Sequence, residues 1–499
     1  MANLSTFIRG HAARAPDATA IVFAGNRISY ADFLDRIEYG AGWLTAQGIG
    51  ADDVVAVLMK NSAAFLDLAF AASHVGAVFL PINFRLSADE VTFIVANAGA
   101  KLLLVDEELR GTAVADCPIQ VVTPAAQADS RVLCGSGRLV APAFRETGDL
   151  FRLMYTSGTT DRPKGVVHTY SNYYWKSWAH AIELGLSAET RLLIAGPLYH
   201  VGAFDLPGTA ALMCGGTLIV LRDFDPASAL RAIEAEQITG AWLAPVMTNL
   251  ILNFPGRQEY DVSSLQWVIG GGERTPEQRI LAFCDYFTQA RYIDAYGLTE
   301  SGSGDTFMVP GLEIAKIGSV GKAVPFVEIS IRDDEGRPLP TGSDGEICLR
   351  GPKITQGYWR DPARTREAFF ESWLRTGDVG HFDADGYLFL TDRKKDMIIS
   401  GGENIAASEV ERVLHDFPGI LEAAVVGAPD ERWGERPVAF LVPVDGASID
   451  ADAVVAHCRS RLAGFKVPRQ LVLRESLPRN ASGKVLKQVL RAESAALLS

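Results

Sequence analysis

Short apolar runs alternate with amphipathic helical patterns along the first half of the chain, and this alternation constrains the fold more than any other feature. The runs are DVVAVLM (53–59), AKLLLVD (100–106), RLLIAGP (191–197), GTLIVL (216–221) and LQWVIGGG (265–272). A helical pattern such as PASALRAIEAEQ, 226–237, places Ala, Leu and Ile on one face. Strands that alternate with helices form parallel sheets covered by helices. We therefore predict an α/β protein whose large N-terminal body consists of parallel-sheet layers.

The pattern changes at about residue 326, where strands bounded by turn clusters replace the helices. DDEG, TGSDG and DADG are hairpin turn signals, so this segment predicts a β-rich subdomain over about 326–392. Beyond it, helix, strand, strand and helix patterns follow in a span long enough for a small α+β domain. We predict a large N-terminal domain over 1–392, a small mobile C-terminal domain over 396–499, and a hinge at 393–395 within the charged run DRKK.

The bulk composition excludes several classes of function. A length of 499 residues with 48% hydrophobic composition predicts more than one folding unit. The 60 acidic residues outnumber the 47 basic ones, and the net charge of −13 argues against a nucleic acid or an anionic membrane as the main partner.

Cysteines and the N-terminus favour a cytoplasmic location. The six cysteines occur singly without a CxxC pair, so they indicate neither a zinc site nor a disulfide framework. The N-terminal segment lacks the pattern of a signal peptide. Gly, Pro, His200 and Asp205 interrupt the apolar stretches 192–204 and 206–221, so we expect core strands and turns there and no membrane span.

The segment YTSGTTDRPKGVVH, 155–168, has the ingredients of a phosphate-binding loop. Glycines let the backbone approach an anion, hydroxyls add donors, and Lys164 adds charge. It is not a Walker A loop, because its lysine follows a proline and precedes Gly165. Composition alone leaves a phosphate loop and a flexible turn equally open.

The same segment resembles the signature loop of the adenylate-forming superfamily, which contains acyl-CoA synthetases, firefly luciferases and peptide-synthetase adenylation domains. Further matches follow in that family's order: PLYHVG (197–202), GGGE (270–273), YGLTE (296–300), RTGD (375–378), DRKKDMIISGGENI (392–405) and PRNASGKVLK (478–487). The resemblance covers nearly the whole chain and is closest to stand-alone fatty or aromatic acyl-CoA ligases.

The resemblance implies a two-step reaction. A carboxylate attacks the α-phosphate of ATP and releases pyrophosphate, and coenzyme A then displaces AMP to form a thioester. Lys484 would contact both the carboxylate and the α-phosphate, and His200 would gate or position the carboxylate. Thr156 and Glu300 would hold Mg²⁺, which prefers oxygen ligands and takes few of them from protein when it binds with ATP.

The resemblance also assigns the nucleotide sites. The residues implied for ATP and AMP are Thr156, Ser157, Gly158, Thr159, Thr160 and Lys164 at the phosphates, Gly271, Gly272, Glu273 and Tyr296 around the base, Asp378 and Arg393 at the ribose, and also Gly297 and Thr299. The residues implied for coenzyme A are Gly401, Gly402, Trp433, Phe465 and Arg469. Lys395 would be the pivot about which the small domain rotates between the two half-reactions.

One residue of the signature loop departs from the family. Asp161 stands where the family usually has glycine, which places a carboxylate near a triphosphate. Asp tolerates left-handed turn geometry better than most residues, so we expect the loop to keep its shape with the Asp161 side chain toward solvent.

The expected acid pocket is apolar and roomy. Its predicted lining residues are Phe204, Trp242, Met247, Gly270, Ser301 and Gly302. A dicarboxylate substrate would call for an arginine in the pocket, and an α-amino acid would call for a carboxylate facing its ammonium group. We take Asp205 as the only acid near the pocket. The pattern favours a hydrophobic monocarboxylic acid, fatty or aromatic.

Three alternatives stay open at this stage: an acyl-AMP ligase that passes the acyl group to a carrier protein, a luciferase-like monooxygenase, and a non-catalytic nucleotide-binding relative. The oligomeric state is also open, a homodimer included.

Overall fold

The computed structural model describes residues 2–135, 137–156, 163–271, 275, 277–393, 396–400, 403–430, 433–444, 446–479 and 485–496. Contacts divide the chain into two compact units. One comprises Met1–Ile329 with Leu349–Leu374, and the other comprises Ser330–Cys348 with Arg375–Ser499. The predicted hinge includes residues 394 and 395, which lie outside the described ranges, so the domain boundary at 393–395 stays a prediction.

The first unit contains two sheets and the helices that cover them. Its strands are β1 (Thr19–Phe23), β2 (Asn26–Ser29), β3 (Val54–Leu58), β4 (Val78–Pro81), β5 (Ala100–Asp106), β6 (Ile119–Val122), β7 (Leu150–Thr156), β8 (Lys164–Thr169), β9 (Arg191–Ile194), β10 (Thr217–Val220), β11 (Gly240–Trp242), β12 (Trp267–Gly270), β13 (Arg291–Tyr296), β14 (Thr306–Phe307) and β15 (Lys322–Ala323).

The α-helices of this unit up to residue 286 are α1 (Ser5–Arg14), α2 (Tyr30–Ala46), α3 (Ala63–Val75), α4 (Ala88–Ala98), α5 (Pro124–Ala128), α6 (Arg131–Cys134), α7 (Tyr170–Leu184), α8 (Val201–Phe204), α9 (Ala210–Met213), α10 (Pro226–Glu236), α11 (Pro245–Leu252) and α12 (Glu277–Tyr286). Short 3₁₀ helices span Glu107–Thr112, Arg257–Glu259 and Thr299–Ser301. None of the described helices combines the length and apolarity needed to cross a bilayer.

The two sheets are largely parallel. One has the strand order β15-β14-β13-β12-β11-β9-β10-β1-β2, and its strands from β13 to β1 pair in parallel. The other has the order β6-β5-β3-β4-β7-β8, parallel except for the antiparallel pair β7 and β8. The predicted α/β class is confirmed, and the run AKLLLVD coincides with β5. Such runs are buried on both faces because helices cover both sides of a parallel sheet.

The apolar stretches between 192 and 221 differ from expectation in one respect. Besides β9 and β10 they form two one-turn helices, α8 and α9, where we predicted only strands and turns. A side-chain cap explains the first, since Nδ1 of His200 accepts a hydrogen bond from the Gly202 N–H at 3.0 Å.

Beyond residue 323 strands predominate, as the turn signals predict. The remaining elements are β16 (Glu328–Arg332), β17 (Gly345–Arg350), α13 (Pro362–Glu367), β18 (Phe369–Phe370), β19 (Trp373–Phe382), β20 (Leu388–Arg393), β21 (Ile398–Ser400), β22 (Glu403–Ile405), α14 (Ala407–His415), β23 (Ile420–Asp430), β24 (Gly434–Pro443), α15 (Ala451–Arg459), β25 (Gln470–Leu473) and α16 (Lys487–Ala496). The DADG turn joins β19 to β20 as an antiparallel pair.

The C-terminal part of the second unit is an α+β layer. Its sheet has the order β22-β21-β24-β23, and β25 adds to β24 in parallel. Helix α14 places Val410, Val413 and Leu414 in a buried cluster with Val425 and Leu441 of the sheet. The small α+β fold expected after residue 396 is therefore present in the described residues.

Candidate active site

The carboxyl ends of four neighbouring parallel strands carry several of the predicted site residues. β9, β11, β12 and β13 are adjacent in the sheet, and β11, β12 and β13 end at Trp242, Gly270 and Tyr296. Because parallel strands end at the same edge, these residues lie along one border with Gly271 and Gly297 directly after it. Open α/β sheets bind their ligands at such carboxyl ends.

Lys164, Glu300 and Tyr358 form a hydrogen-bonded triangle. Lys164 Nζ lies 2.8 Å from Oε1 of Glu300 and 2.6 Å from the Tyr358 hydroxyl, which itself donates to the same carboxylate oxygen at 2.9 Å. Lys164 begins β8, and Glu300 lies in the 3₁₀ turn that follows β13. The structure thus brings together two residues that the sequence places in separate motifs.

Burial and the neighbouring groups shift the pKa values of Glu300 and Tyr358 in this triangle. Burial by itself would raise the pKa of Glu300, but the Lys164 ammonium and the hydrogen bonds from Lys164 and Tyr358 bring that pKa below its usual value. Burial and the adjacent carboxylate raise the pKa of Tyr358. These shifts favour an ionised Glu300 carboxylate and a neutral Tyr358 phenol in the triangle.

The two predicted metal ligands suit a magnesium ion that binds with ATP. Thr156 ends β7 directly opposite Lys164, and its Oγ1 is buried without a hydrogen-bond partner among the described residues. Glu300 supplies a carboxylate, so both donors are hard oxygens. The described residues contain no group of three or more His, Cys, Asp and Glu side chains that would hold a metal alone. The donor set therefore fits an ion that takes most of its ligands from phosphate and water.

His200 and Trp242 form a stacked aromatic pair at the predicted acid pocket. Their ring centroids lie 5.9 Å apart and their planes meet at 29°. Gly196 and Gly202 lie against the indole so closely that a Cβ added to either would overlap the ring. The absence of side chains at these two glycines therefore leaves the space that the Trp242 indole occupies.

Three other residues predicted to line the pocket are buried. Phe204 is 1% exposed and stacks on Phe79 at a centroid distance of 6.0 Å. Met247 is 8% exposed and belongs to the hydrophobic core cluster beneath the sheet edge. Ser301 is fully buried and donates to Asp305 at 2.5 Å.

The acidic residues near the pocket also differ from the sequence expectation. Asp205 is fully buried and forms ion pairs with Arg152 at 2.8 Å and Lys176 at 3.3 Å. Asp305, which directly follows the 301–304 segment in the chain, is also fully buried and pairs with Lys353 at 2.9 Å. Both carboxylates are paired internally, so neither is placed to face a bound acid.

The ribose and coenzyme A residues lie in the second unit. Asp378 and Arg393 occupy opposite positions of the β19–β20 ladder. Trp433 is 44% exposed and Phe465 is 39% exposed, and Arg469 is also exposed. Exposed aromatic rings suit stacking on a nucleotide, and the roles of all five residues remain predictions.

Several predicted residues lie outside the described ranges: Ser157, Gly158, Thr159, Thr160, Asp161, Gly272, Glu273, Lys395, Gly401, Gly402 and Lys484. For Arg393 only the backbone is described. Their assigned roles stay predictions.

Comparison with known proteins places this geometry in a family. The family profile "AMP-binding enzyme" matches residues 8–359, and the profile "AMP-binding enzyme C-terminal domain" matches residues 409–484. The chain belongs to the AMP-binding enzyme family. The resemblance to adenylate-forming enzymes predicted from the motifs is confirmed.

Two relatives of this AMP-binding enzyme are CoA ligases, and each aligns with it over nearly the whole length of both chains. It is 38% identical to a feruloyl-CoA synthase from Amycolatopsis sp. over 95% of this chain and 96% of that protein. It is 37% identical to a long-chain-fatty-acid–CoA ligase from Mycobacterium tuberculosis over 99% of both chains. The prediction of an AMP-forming acyl-CoA synthetase is therefore confirmed.

The solved structures agree with the fold. An o-succinylbenzoate CoA synthetase from Bacillus subtilis in complex with its acyl-adenylate intermediate superposes with a TM-score of 0.87 at 29% identity, covering 97% of each chain. The same synthetase has been solved with ATP and a magnesium ion.

Sequence reasoning missed Tyr358. It belongs to none of the motifs and lies 194 positions from Lys164 in the chain. The neighbouring Gly357 is the one local signal in the sequence. In the structure it has a φ of 140° and packs closely against Thr365.

Proposed function

We propose that this enzyme activates a hydrophobic monocarboxylic acid as an acyl-adenylate and transfers the acyl group to coenzyme A, with release of pyrophosphate and AMP. The observation that carries the proposal is that Glu300, paired with the part-buried Lys164, follows β13 in the same sheet whose strand β11 ends at Trp242. The pair would supply a cation and an oxygen ligand for the triphosphate, and the Trp242 and His200 rings would supply an apolar wall for an uncharged acyl group.

The first half-reaction is the attack of one anion on another, so positioning and charge neutralisation dominate its barrier. Lys164 would turn its ammonium from Glu300 toward the entering phosphates, and Lys484 would bridge the carboxylate and the α-phosphate. His200 would orient the carboxylate while its ring stays stacked on Trp242. When bound with ATP, magnesium would neutralise phosphate charge, and Thr156 and Glu300 would hold it.

The second half-reaction requires that Lys484 leave the site before the thiol enters. Lys395 would be the pivot of this movement, and Gly401 and Gly402 would give room to the pantetheine arm. Trp433, Phe465 and Arg469 would bind the nucleotide end of coenzyme A, where the two rings supply stacking surfaces and the guanidinium pairs with phosphate.

Among hydrophobic acids, the Trp242 and His200 rings favour an aromatic substrate over a fatty one. The stacked Trp242 and His200 rings present a planar wall, and the indole packs closely against Gly196 and Gly202. A planar ring gains more contact from such a wall than a flexible chain does, and it loses less conformational entropy on binding.

The test is a panel of matched aromatic and fatty acids scored for acid-dependent AMP release with and without coenzyme A. We expect cinnamate- or benzoate-type acids to give higher kcat/KM values than fatty acids of equal carbon number, and thioester to form only with coenzyme A. A preference for fatty acids would contradict the aromatic assignment. Accumulation of acyl-adenylate that coenzyme A does not discharge would favour the carrier-protein alternative.

Enlarging Gly202 is expected to impair acid binding selectively. In Gly202→Ala the new methyl group overlaps the Trp242 ring, so the indole must move out of its stack with His200. Overpacking of this kind costs about 1–3 kcal/mol of folding stability, and the displaced indole no longer presents its wall to the acid. We expect the KM for the acid to rise about tenfold while the KM for ATP stays unchanged.

The measurement is initial-rate pyrophosphate exchange at varied acid and ATP concentrations. Gly148→Ala is the matched control, because a Cβ added there meets no atom within 4 Å. Equal effects of the two substitutions on the KM for the acid would contradict the placement of Trp242 in the acid pocket.

A further inference from the structure

The segment that carries Glu300 has an unusual backbone. Gly302, Ser303 and Gly304 are consecutive left-handed residues, with φ values of 67°, 66° and 61°. Glycine adopts this conformation readily, but Ser303 does so only where its surroundings enforce it. The segment after Glu300 therefore depends on contacts from outside itself.

A buried lysine supplies those contacts. Lys353 is fully buried, and its Nζ donates to the carbonyl oxygens of Ser303 at 2.7 Å and Gly304 at 2.8 Å. It also forms an ion pair with Asp305 at 2.9 Å. The side chain of Lys353 therefore bonds directly to the backbone of two of the three left-handed residues. Asp305 in turn accepts from Ser301, the residue next to Glu300.

A second buried chain of contacts holds the other side of Glu300. His168 lies 2.7 Å from the carbonyl oxygen of Thr299, and Arg152 donates to Nδ1 of His168 at 2.9 Å. Arg152 pairs with Asp205 at 2.8 Å. Since Nδ1 accepts from Arg152, Nε2 carries the proton and donates to the Thr299 carbonyl. Burial and Arg152 lower the pKa of His168 to about 3, in keeping with this neutral form.

These contacts leave the Glu300 side chain itself untouched. Its carboxylate bonds to Lys164 and Tyr358, whereas Lys353 and His168 bond to backbone carbonyls on either side. A buried ion pair contributes little to stability compared with apolar residues of the same size, because of its desolvation cost. We therefore attribute the buried Lys353 to the backbone geometry that it holds in place and not to a gain in stability.

We propose that Lys353, together with Asp305, is a positioning residue that fixes the left-handed 302–304 segment and thereby sets Glu300 for adenylation. This inference rests on the proposed function for its effect on turnover. Its effect on the backbone does not depend on the reaction.

The test uses the full chain and a neutral replacement of the pair, Lys353→Met with Asp305→Asn. Asparagine keeps an acceptor for Ser301, and the double change avoids the unpaired buried charge that Lys353→Met alone would leave. We expect the variant to fold with a lowered melting temperature, because the buried carbonyl oxygens of Ser303 and Gly304 lose their donor. Pyrophosphate exchange should fall about tenfold to a hundredfold in kcat, the loss typical of misplaced catalytic groups. The magnesium concentration at half-maximal rate should rise.

A second readout follows amide hydrogen exchange in residues 298–305. We expect these amides to exchange at least about tenfold faster in the double variant, because local opening becomes easier when its restraints are removed. The matched control is Arg222→Met with Asp106→Asn, which neutralises another ion pair, at 2.8 Å, whose Asp106 is fully buried. The control should leave both the exchange of 298–305 and kcat near wild-type values.

Wild-type kcat and magnesium dependence in the double variant, or unchanged amide exchange in 298–305, would overturn the positioning role. A wild-type enzyme without acid-dependent pyrophosphate exchange would instead overturn the proposed function, and amide exchange would then still decide whether Lys353 fixes the segment.

Discussion

Lys484→Ala is expected to abolish acid-dependent pyrophosphate exchange while leaving most of the thioester formation from preformed acyl-adenylate. The lysine is needed where the carboxylate meets the α-phosphate, because only there do two anions approach each other. A positioned cation at such a point is worth about a hundredfold to a thousandfold in rate. Once the adenylate exists, that repulsion is gone and coenzyme A attacks a neutral carbonyl.

The two half-reactions are measured separately, with labelled pyrophosphate for the first and synthetic acyl-adenylate plus coenzyme A for the second. Arg479→Ala is the matched control, since it removes one positive charge five residues upstream, where the side chain pairs with Glu422 at 2.9 Å near the surface. Undiminished exchange in Lys484→Ala would contradict the assignment, as would an equal loss in both half-reactions.

Glu300→Gln is the substitution with the next largest expected effect. Glutamine has the same shape and can still accept from Lys164 and Tyr358, but it lacks the charge that balances the ammonium and binds a divalent cation. We expect kcat/KM for magnesium and ATP to fall at least about a hundredfold. The free energy of unfolding should fall by about 1–3 kcal/mol, since Lys164 loses a charged partner in a buried site.

Pyrophosphate exchange at varied magnesium and a denaturant titration measure the two effects. Glu38→Gln provides the control, because Glu38 is another buried carboxylate, 2% exposed, and pairs with Arg138 at 2.5 Å. Similar kinetic losses in the two variants would indicate a general consequence of neutralising a buried carboxylate, and the proposed metal role of Glu300 would then be wrong.

The strands could be predicted because their signal is local. Runs such as AKLLLVD contain the apolar residues that a sheet covered on both faces requires, so composition and position coincide. The one-turn helices α8 and α9 escaped prediction, since four residues are too few to show a helical period and the first depends on a cap from His200.

The site was predictable only as far as its motifs reach. Lys164 and Glu300 lie in recognisable loops, but nothing local shows that they bond to each other or to Tyr358. Lys353 is the clearest failure of local reasoning. In GPKITQG it has the surroundings of an exposed loop lysine, and its partner Asp305 is 48 positions away. The pocket role of Met247 stays a prediction, because the sequence of α11 does not say which of its faces meets the core.

Three glycines packed against aromatic rings bear on how the predicted acid pocket can be redesigned. Side chains added at Gly196 and Gly202 would overlap Trp242, and one added at Gly270 would overlap Tyr292. Each glycine therefore marks a place already filled by an aromatic ring. A library that diversifies the glycines should return mostly inactive clones, whereas one that trims Trp242 should open new volume and recover variants with broader substrate range.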